Sequence, residues 1–138
     1  MTFLLMLDTN MVSYIARGRS SSARTRLKEL KDDEVACISA ITEGEIRYGL
    51  AKRPEATALK SAMEGVLSRL RILPWGRDEA EAYGVVRAKL EAAGTPLGNM
   101  DTLIAAHAVS IGAILVTNDK AFGYVEDLHA SVNWATDL

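Results

Sequence analysis

Short apolar runs alternate with segments of helical periodicity along the sequence, and this alternation constrains the fold more than any other feature. Mostly apolar runs such as 3–7 and 113–117 are typical of strands that are covered on both faces. Between such runs, apolar residues recur at three- and four-residue spacing, as at 58–70. Strands separated by helices require crossover connections, which produce a parallel sheet. We therefore predict one α/β domain over residues 1–138, with a four- to five-stranded parallel sheet flanked by helices on both faces.

The boundaries of the elements follow from turn and capping residues. We predict strands at 3–7, 35–38, 71–75, 113–117 and, more weakly patterned, 132–134. Helices are predicted at 11–16, 24–31, 58–70 and 79–93. One more helix runs toward Leu50 after a cap at Ser39 or Thr42, and another ends at Gly112.

Composition excludes several classes of protein. With 138 residues, 49% hydrophobic and 25% charged, the chain is neither disordered nor fibrous. The single cysteine, Cys37, excludes an internal disulfide framework and any zinc site that needs two thiolates from this chain. Neither a signal peptide nor a membrane-spanning segment is expected, since the longest uncharged stretch, 102–118, is too short and too polar. We expect a cytoplasmic protein with no membrane association.

Four acidic residues fall where a parallel sheet would gather them. Asp8 directly follows the first predicted strand, and Asp119 follows the strand at 113–117. Glu45 lies one or two turns into the helix after the second strand, and Asp101 opens the helix that leads into the strand at 113–117. Ligands of open parallel sheets bind outside the carboxyl ends of the strands. The pattern therefore predicts that these acids meet at one edge.

Each of these acids also has a structural interpretation. Asp8 and Asp101 can cap helices, and Thr42 with Glu45 matches a capping box. Asp119 can belong to a simple turn. The set is harder to explain this way, because four ionised carboxylates at short range repel one another unless a cation binds. Hard oxygen ligands select Mg²⁺ or Mn²⁺, which can support hydrolysis of a phosphodiester.

Other chemistries find little support in the sequence. Glycine-rich nucleotide-binding loops are absent. His107 lies in register with the apolar face of its helix and is interpreted as a core histidine, so a Ser-His-Asp arrangement is not indicated. Although the net charge is −2, six cations and one acid lie between Arg17 and Lys31, which gives a basic segment suited to phosphates or merely a solvated helix face.

Four segments that contain the acids resemble the motifs of PIN-domain ribonucleases, and most of all those of VapC-type toxins. They are LDTN at 7–10, ITEGEIRYG at 41–49, GNMDTLIAAHA at 98–108 and LVTNDKAF at 115–122. The resemblance extends over essentially the whole chain, with the segments in order and suitably spaced.

The resemblance implies a Mg²⁺-dependent endoribonuclease, with Mn²⁺ as a possible substitute, that cuts specific tRNA or rRNA and stops translation. It also implies a homodimer and a cognate VapB-like antitoxin whose C-terminal segment blocks the acidic site in a larger hetero-oligomer. By position, Asp8, Glu45, Asp101 and Asp119 match the family's catalytic, metal-binding acids. Thr117 matches a hydroxyl residue that often precedes the last acid.

Supporting roles are assigned to five further residues. Asn10 is expected beside the metal site, and Arg17, Arg19, Arg24 and Arg47 are expected to contact RNA. Glu43 is assigned to an ion pair with Arg47, four residues on, and not to the metal site.

Two alternatives from other classes remain at this stage. A haloacid-dehalogenase-like phosphohydrolase also begins with an Asp after the first strand, but it needs a second Asp where this chain has Asn10. A non-catalytic receiver-like signalling domain needs an Asp directly after its third strand, and here Asp78 comes too late.

Overall fold

A computed structural model describes residues 1–138, and its sheet has five strands. They are β1 (Phe3–Leu7), β2 (Glu34–Ser39), β3 (Arg71–Leu73), β4 (Ile114–Val116) and β5 (Ala130–Val132). The order across the sheet is β3-β2-β1-β4-β5, and every neighbouring pair is parallel. The predicted parallel α/β architecture is confirmed, and the sheet has five strands, the larger of the two predicted numbers.

Six α-helices connect the strands. They are α1 (Thr9–Ala16), α2 (Ser21–Lys28), α3 (Ala40–Ala51), α4 (Thr57–Leu67), α5 (Arg77–Ala92) and α6 (Asn99–Ile111). A 3-10 helix, Lys120–Tyr124, precedes β5. None of the helices is long and apolar enough to cross a membrane.

The two faces of the sheet bury separate hydrophobic clusters. Leu5 and Leu7 of β1 point into a cluster formed with α1, α2 and α4, whereas Met6 points into a cluster formed with α5 and α6. This alternation is the two-residue period of a strand. Helices therefore cover both faces, as a continuous apolar strand requires.

Several predicted boundaries were wrong, two of them where a local residue decides the end of the element. Helix α2 spans Ser21–Lys28 and not 24–31, because the Ser20 hydroxyl accepts a hydrogen bond from Ala23 N (3.1 Å) and starts the helix earlier. Strand β3 ends at Leu73, one residue before Pro74, which has no amide hydrogen for the ladder. The last strand lies at Ala130–Val132 and not at 132–134.

The strand order places a binding crevice beside β1. The chain leaves β1 toward β2 on one side, and it later returns to place β4 on the other side. Such a switch in direction opens a crevice at the carboxyl ends of the two central strands. Asp8 N donates a hydrogen bond to Val116 O (3.1 Å) across this point. The residues that follow β1 and β4 are therefore neighbours.

Candidate active site

Asp8 lies at the centre of the crevice and is buried, with 4% of its surface exposed. Its Oδ1 accepts a hydrogen bond from Met11 N (2.9 Å), which caps α1. Its Oδ2 accepts a hydrogen bond from the Thr117 hydroxyl (2.6 Å). Asp8 is thus both a helix cap and a carboxylate held at the predicted site, so the two interpretations of this residue are compatible.

Thr117 links the loops that follow the two central strands. While its hydroxyl donates to Asp8, it accepts a hydrogen bond from Asp119 N (2.9 Å). Asp119 Oδ1 in turn accepts from Ala121 N (2.9 Å) and begins the 3-10 helix. Thr117 therefore fixes the position of Asp119 relative to Asp8, in accord with its predicted place beside the acids.

Asp101 lies in the first turn of α6 and is not its cap. The capping position belongs to Gly98, and Asp101 is the third residue of the helix. The predicted capping alternative for Asp101 was therefore wrong. An acid in the first turn still interacts favourably with the positive end of the helix dipole. Its side chain points toward the crevice, where it is close enough to Glu45, Asp8 and Asp119 to interact electrostatically.

Glu45 reaches the site from the second turn of α3. The Thr9 hydroxyl donates a hydrogen bond of 2.5 Å to Glu45 Oε1 and lies 3.3 Å from the Thr42 hydroxyl. The predicted capping box was wrong, because Ser39 is the cap of α3 and accepts from Ile41 N (3.1 Å). Thr42 lies within α3, after the cap, and its side chain is buried in the protein. Thr9 and Thr42 were missed as site residues, although Thr9 directly follows Asp8.

The four acids form one electrostatic group. The pKa of Asp8 is raised from 3.8 to about 6, chiefly by burial, and the smaller effects are its two hydrogen bonds, which lower it, and the charges of Asp101 and Asp119, which raise it. Burial also raises the pKa of Asp101, with smaller contributions from Glu45 and Asp119. Each acid thus interacts with at least one other, and the ionised cluster is unfavourable without a cation.

The donor atoms of this group suit a hard divalent cation. The ligands on offer are carboxylate oxygens, with no thiolate or imidazole among them, which is the donor set of Mg²⁺ or Mn²⁺. No three of the chain's acidic, histidine or cysteine side chains stand in a preformed metal-binding arrangement.

A basic groove of about 560 Å³ lies beside Glu45, between α1, α3 and α4. Its rim carries the cations Arg17, Arg19, Lys52 and Arg53. Its floor contains Ile46, Leu50, Leu59 and Met63. None of the four cations pairs with an acid, so they are available to an anionic ligand.

The other two arginines predicted to contact RNA point elsewhere. Arg24 donates a hydrogen bond to Ile15 O (3.0 Å) and borders a separate hollow next to α2. Arg47 pairs with Glu43 (3.5 Å) and with Glu64. The predicted pair of Glu43 and Arg47 is confirmed, and this pair occupies the guanidinium that was expected to bind RNA.

A hollow of about 270 Å³, distinct from the one beside Arg24, lies on the side of Asn10 away from the basic groove. Asp8 and Asp119 line it together with Tyr14, Asn118 and Lys120. Asn10 borders both this hollow and the basic groove, which agrees with its predicted place at the site. Tyr14 and Lys120 were missed, because neither stands out in the sequence from ordinary surface residues.

One known protein family matches most of this chain. The profile of the PIN domain family matches residues 5–128. The chain belongs to the PIN domain family.

Within the PIN family, the relatives are VapC ribonucleases. Ribonuclease VapC2 of Rickettsia felis is 35% identical over 132 residues, which is 95% of this chain and 98% of the relative. The tRNA(fMet)-specific endonuclease VapC of Shigella flexneri is 36% identical over 114 residues, 83% of this chain and 85% of the relative. The crystal structure of VapBC2 from Rickettsia felis bound to a promoter DNA fragment superposes with a TM-score of 0.89 at 33% identity, covering 96% and 99% of the two chains.

These findings make the chain a member of the VapC ribonucleases, the toxins of VapBC toxin–antitoxin systems. They confirm the resemblance on which the predicted nuclease activity rested. The phosphohydrolase and receiver-like alternatives fall away, since the match extends over nearly the whole chain. PIN-domain nucleases are typically metal-dependent, which agrees with the donor set of the crevice.

Proposed function

We propose that this VapC protein is a Mg²⁺-dependent endoribonuclease that cuts a narrow set of tRNAs at the crevice beside β1. The observation that carries the proposal is the buried carboxylate of Asp8, whose pKa is raised to about 6 within a group of four acids. A fold retains such an unfavourable group where function requires it, since perturbed carboxyls concentrate at catalytic sites.

Asp8 and Asp101 would hold the cation directly, because burial in the crevice makes their charges unfavourable without one. Glu45 and Asp119 would bind it directly or through water. When bound, Mg²⁺ would stabilise charge on the phosphate and lower the pKa of a coordinated water. Mn²⁺ would serve in the same oxygen-rich site.

The hydroxyl groups around the acids keep them in place. Thr117 fixes Asp8 through a 2.6 Å hydrogen bond, and Thr9 fixes Glu45 through a 2.5 Å hydrogen bond. The hydrogen bond from Thr117 lowers the pKa of Asp8 and so favours the ionised form that a cation needs. Asn10, which borders the basic groove and the hollow beside Asp8, would contact the RNA backbone between them and support the metal site.

The basic groove would bind the RNA on one side of the scissile phosphate. Arg17, Arg19, Lys52 and Arg53 offer four unpaired cations along its rim. Lys120 offers a further ammonium on the opposite side of Asp8. Phosphates held at both sides would lay the strand across the carboxylates.

The tRNA substrate class rests on the relatives. The VapC proteins of Shigella flexneri and Salmonella typhimurium are named tRNA(fMet)-specific endonucleases, at 36% identity each. Cleavage of rRNA is the second candidate that the family resemblance implies. Either substrate would stop translation.

A cognate VapB-like antitoxin would inhibit the enzyme by covering the basic groove. Relatives have been solved as toxin–antitoxin complexes, among them VapBC2 of Rickettsia felis and FitAcB of Neisseria gonorrhoeae. The apolar floor and cationic rim suit an amphipathic segment with acidic side chains. A homodimer of the toxin, within a larger hetero-oligomer, remains a prediction.

Mapping of RNA ends tests the proposal. The purified chain is incubated with bacterial total RNA in Mg²⁺, in EDTA, and in EDTA followed by excess Mg²⁺ or Mn²⁺, and the new 5′ ends are sequenced. We expect a few discrete cuts in tRNA that vanish in EDTA and return with either metal. Cleavage that persists in EDTA would contradict the metal assignment, and cuts confined to rRNA would contradict the substrate class.

A further inference from the structure

A buried hydrogen bond connects the two helices that carry Glu45 and Asp101. His107 Nδ1 of α6 lies 2.7 Å from the Ser39 hydroxyl at the start of α3. Both residues are fully inside the protein, with 1% and 0% of their surfaces exposed. Burial lowers the pKa of His107, so the ring stays neutral at neutral pH. The predicted interpretation of His107 as a core histidine is confirmed, and the structure shows what the imidazole contacts.

The Ser39 hydroxyl does two things at once. It accepts a hydrogen bond from Ile41 N (3.1 Å), which caps α3, and it bonds to His107. The first turn of α3 is therefore fixed to the middle of α6. Helix α6 packs most extensively against α5 and only slightly against α3. The hydrogen bond between Ser39 and His107 is therefore a specific polar connection between α3 and α6.

The connection lies at the base of both acid-bearing segments. Glu45 is six residues after Ser39, and Asp101 is six residues before His107, which is about 9 Å along the axis of each helix. A small change in the angle between the helices at this point would be magnified at the two carboxylates. Glu45 and Asp101 interact electrostatically across the crevice, so their separation matters to any ion between them.

We infer that the Ser39–His107 hydrogen bond sets the separation of Glu45 and Asp101, and with it the affinity of the carboxylate group for a divalent cation. Ser39 and His107 would be positioning residues, because both are buried and neither lines the basic groove or the hollow beside Asp8. The inference rests on the proposed metal-dependent function. It adds residues to that function that lie outside the acidic group.

The first test compares two substitutions of His107. Asn places an amide atom as many bonds from Cα as Nδ1 and can keep the bond to Ser39, whereas Leu removes it. The Kd for Mn²⁺ is measured by calorimetry on the full chain, with melting temperatures recorded alongside. We expect His107→Leu to weaken Mn²⁺ binding about 10-fold, as loss of groups that orient metal ligands commonly does, and His107→Asn to stay within about 3-fold of the original chain.

Two further variants separate positioning from general stability. Val86→Ala truncates a buried side chain of α5 in the hydrophobic cluster formed with α5 and α6. It should lower the melting temperature without changing the Mn²⁺ affinity. Ser39→Gly removes the hydroxyl but retains a residue that caps helices acceptably, and it should weaken Mn²⁺ binding as much as His107→Leu does. It also keeps the test open if His107→Leu does not fold.

The outcomes discriminate between the two proposals. If the original chain binds Mn²⁺ and Ser39→Gly binds it equally well, the positioning role is wrong while the nuclease proposal stands. Equal affinity losses in Val86→Ala and Ser39→Gly would also overturn the positioning role. If the original chain binds no Mn²⁺, both proposals fail.

Discussion

Two carboxylates of this protein have nearly the same exposure and the same number of hydrogen bonds, yet their pKa values shift in opposite directions. Asp8 is 4% exposed and accepts from Met11 N and the Thr117 hydroxyl. Glu79 is 8% exposed and accepts from Gly76 N (2.8 Å) and the Ser110 hydroxyl (2.7 Å). The pKa of Asp8 is raised to about 6, whereas that of Glu79 is lowered.

The difference lies in the balance between desolvation and hydrogen bonding at each carboxylate, and not in the number of its hydrogen bonds. Desolvation dominates at Asp8, which lies deep against the sheet with the acids Asp101 and Asp119 nearby. At Glu79 the two hydrogen bonds outweigh desolvation, and no neighbouring acid raises its pKa. Glu79 is thus a satisfied structural acid that caps α5, whereas Asp8 is held where its charge is unfavourable. The number of hydrogen bonds that a carboxylate accepts therefore does not by itself identify a functional carboxylate.

The largest expected effect is on RNA cleavage. Asp8→Asn keeps an oxygen to cap α1 but removes the charge, and we expect the cleavage rate to fall on the order of 10³-fold. Glu79→Gln is the matched control, because it removes the charge of an acid that does not belong to the acidic group, and its rate should stay within about twofold. The rates are measured on one tRNA substrate in saturating Mg²⁺. Equal losses in the two variants would remove the contrast.

The second effect is on stability in the absence of metal. The folded-state pKa of Asp8 is raised, so its ionisation costs stability as the pH rises from about 4 to about 6, and the cost persists above that range. The shift from 3.8 to about 6 corresponds to at most about 3 kcal/mol. We therefore expect Asp8→Asn to gain stability over the original chain as the pH rises through this window.

Glu79 should behave in the opposite way. Its folded-state pKa is lowered, so its charge contributes stability above its ordinary range, and that contribution is lost as the pH falls through the lowered value. Urea denaturation in EDTA at several pH values compares both variants with the original chain. A destabilised Asp8→Asn at pH 7 would mean that the hydrogen bonds of the carboxylate outweigh its desolvation.

The smallest expected effect is on tRNA binding by two arginines, one without an acidic partner and one paired with acids. Arg17 lies unpaired with respect to acids on the rim of the basic groove, whereas Arg47 is occupied by Glu43 and Glu64. We expect Arg17→Gln to weaken tRNA binding several-fold and to reduce the slope of log affinity against log salt by about 1. Arg47→Gln should change neither quantity appreciably. Binding is measured with the inactive Asp8→Asn background across a salt series.

The sequence predicted the fold well because strand and helix periodicities are local properties. The run at 3–7 matches β1 residue for residue, and Gly112 ends α6 with a positive φ of 65°, as a C-terminal glycine should. One of the boundary errors, at the start of α2, involves a side chain from a distant segment as well as the local cap at Ser20. Asp137, at the other end of the chain, accepts a hydrogen bond from Ser21 N (2.9 Å) at the start of α2, and no local pattern could reveal it.

The site was predictable in its acids but not in their supporting contacts. The carboxyl-end rule was enough to suggest that Asp8, Glu45 and Asp119 meet, because each of them follows the end of a strand. The pairing of Thr9 with Glu45 and of Ser39 with His107 depends on the angles between helices, which the sequence does not encode in any short window. The occupation of Arg47 by Glu64 is likewise a contact between two separate helices.

The most direct test of this account is an NMR titration of the Asp8 side-chain carboxyl carbon, with and without Mg²⁺. The account predicts a pKa of about 6 in the metal-free protein, and a marked fall in that pKa when Mg²⁺ is present, since a cation favours the ionised form. A metal-free pKa near the ordinary 3.8, or a raised pKa that Mg²⁺ leaves unchanged, would contradict it.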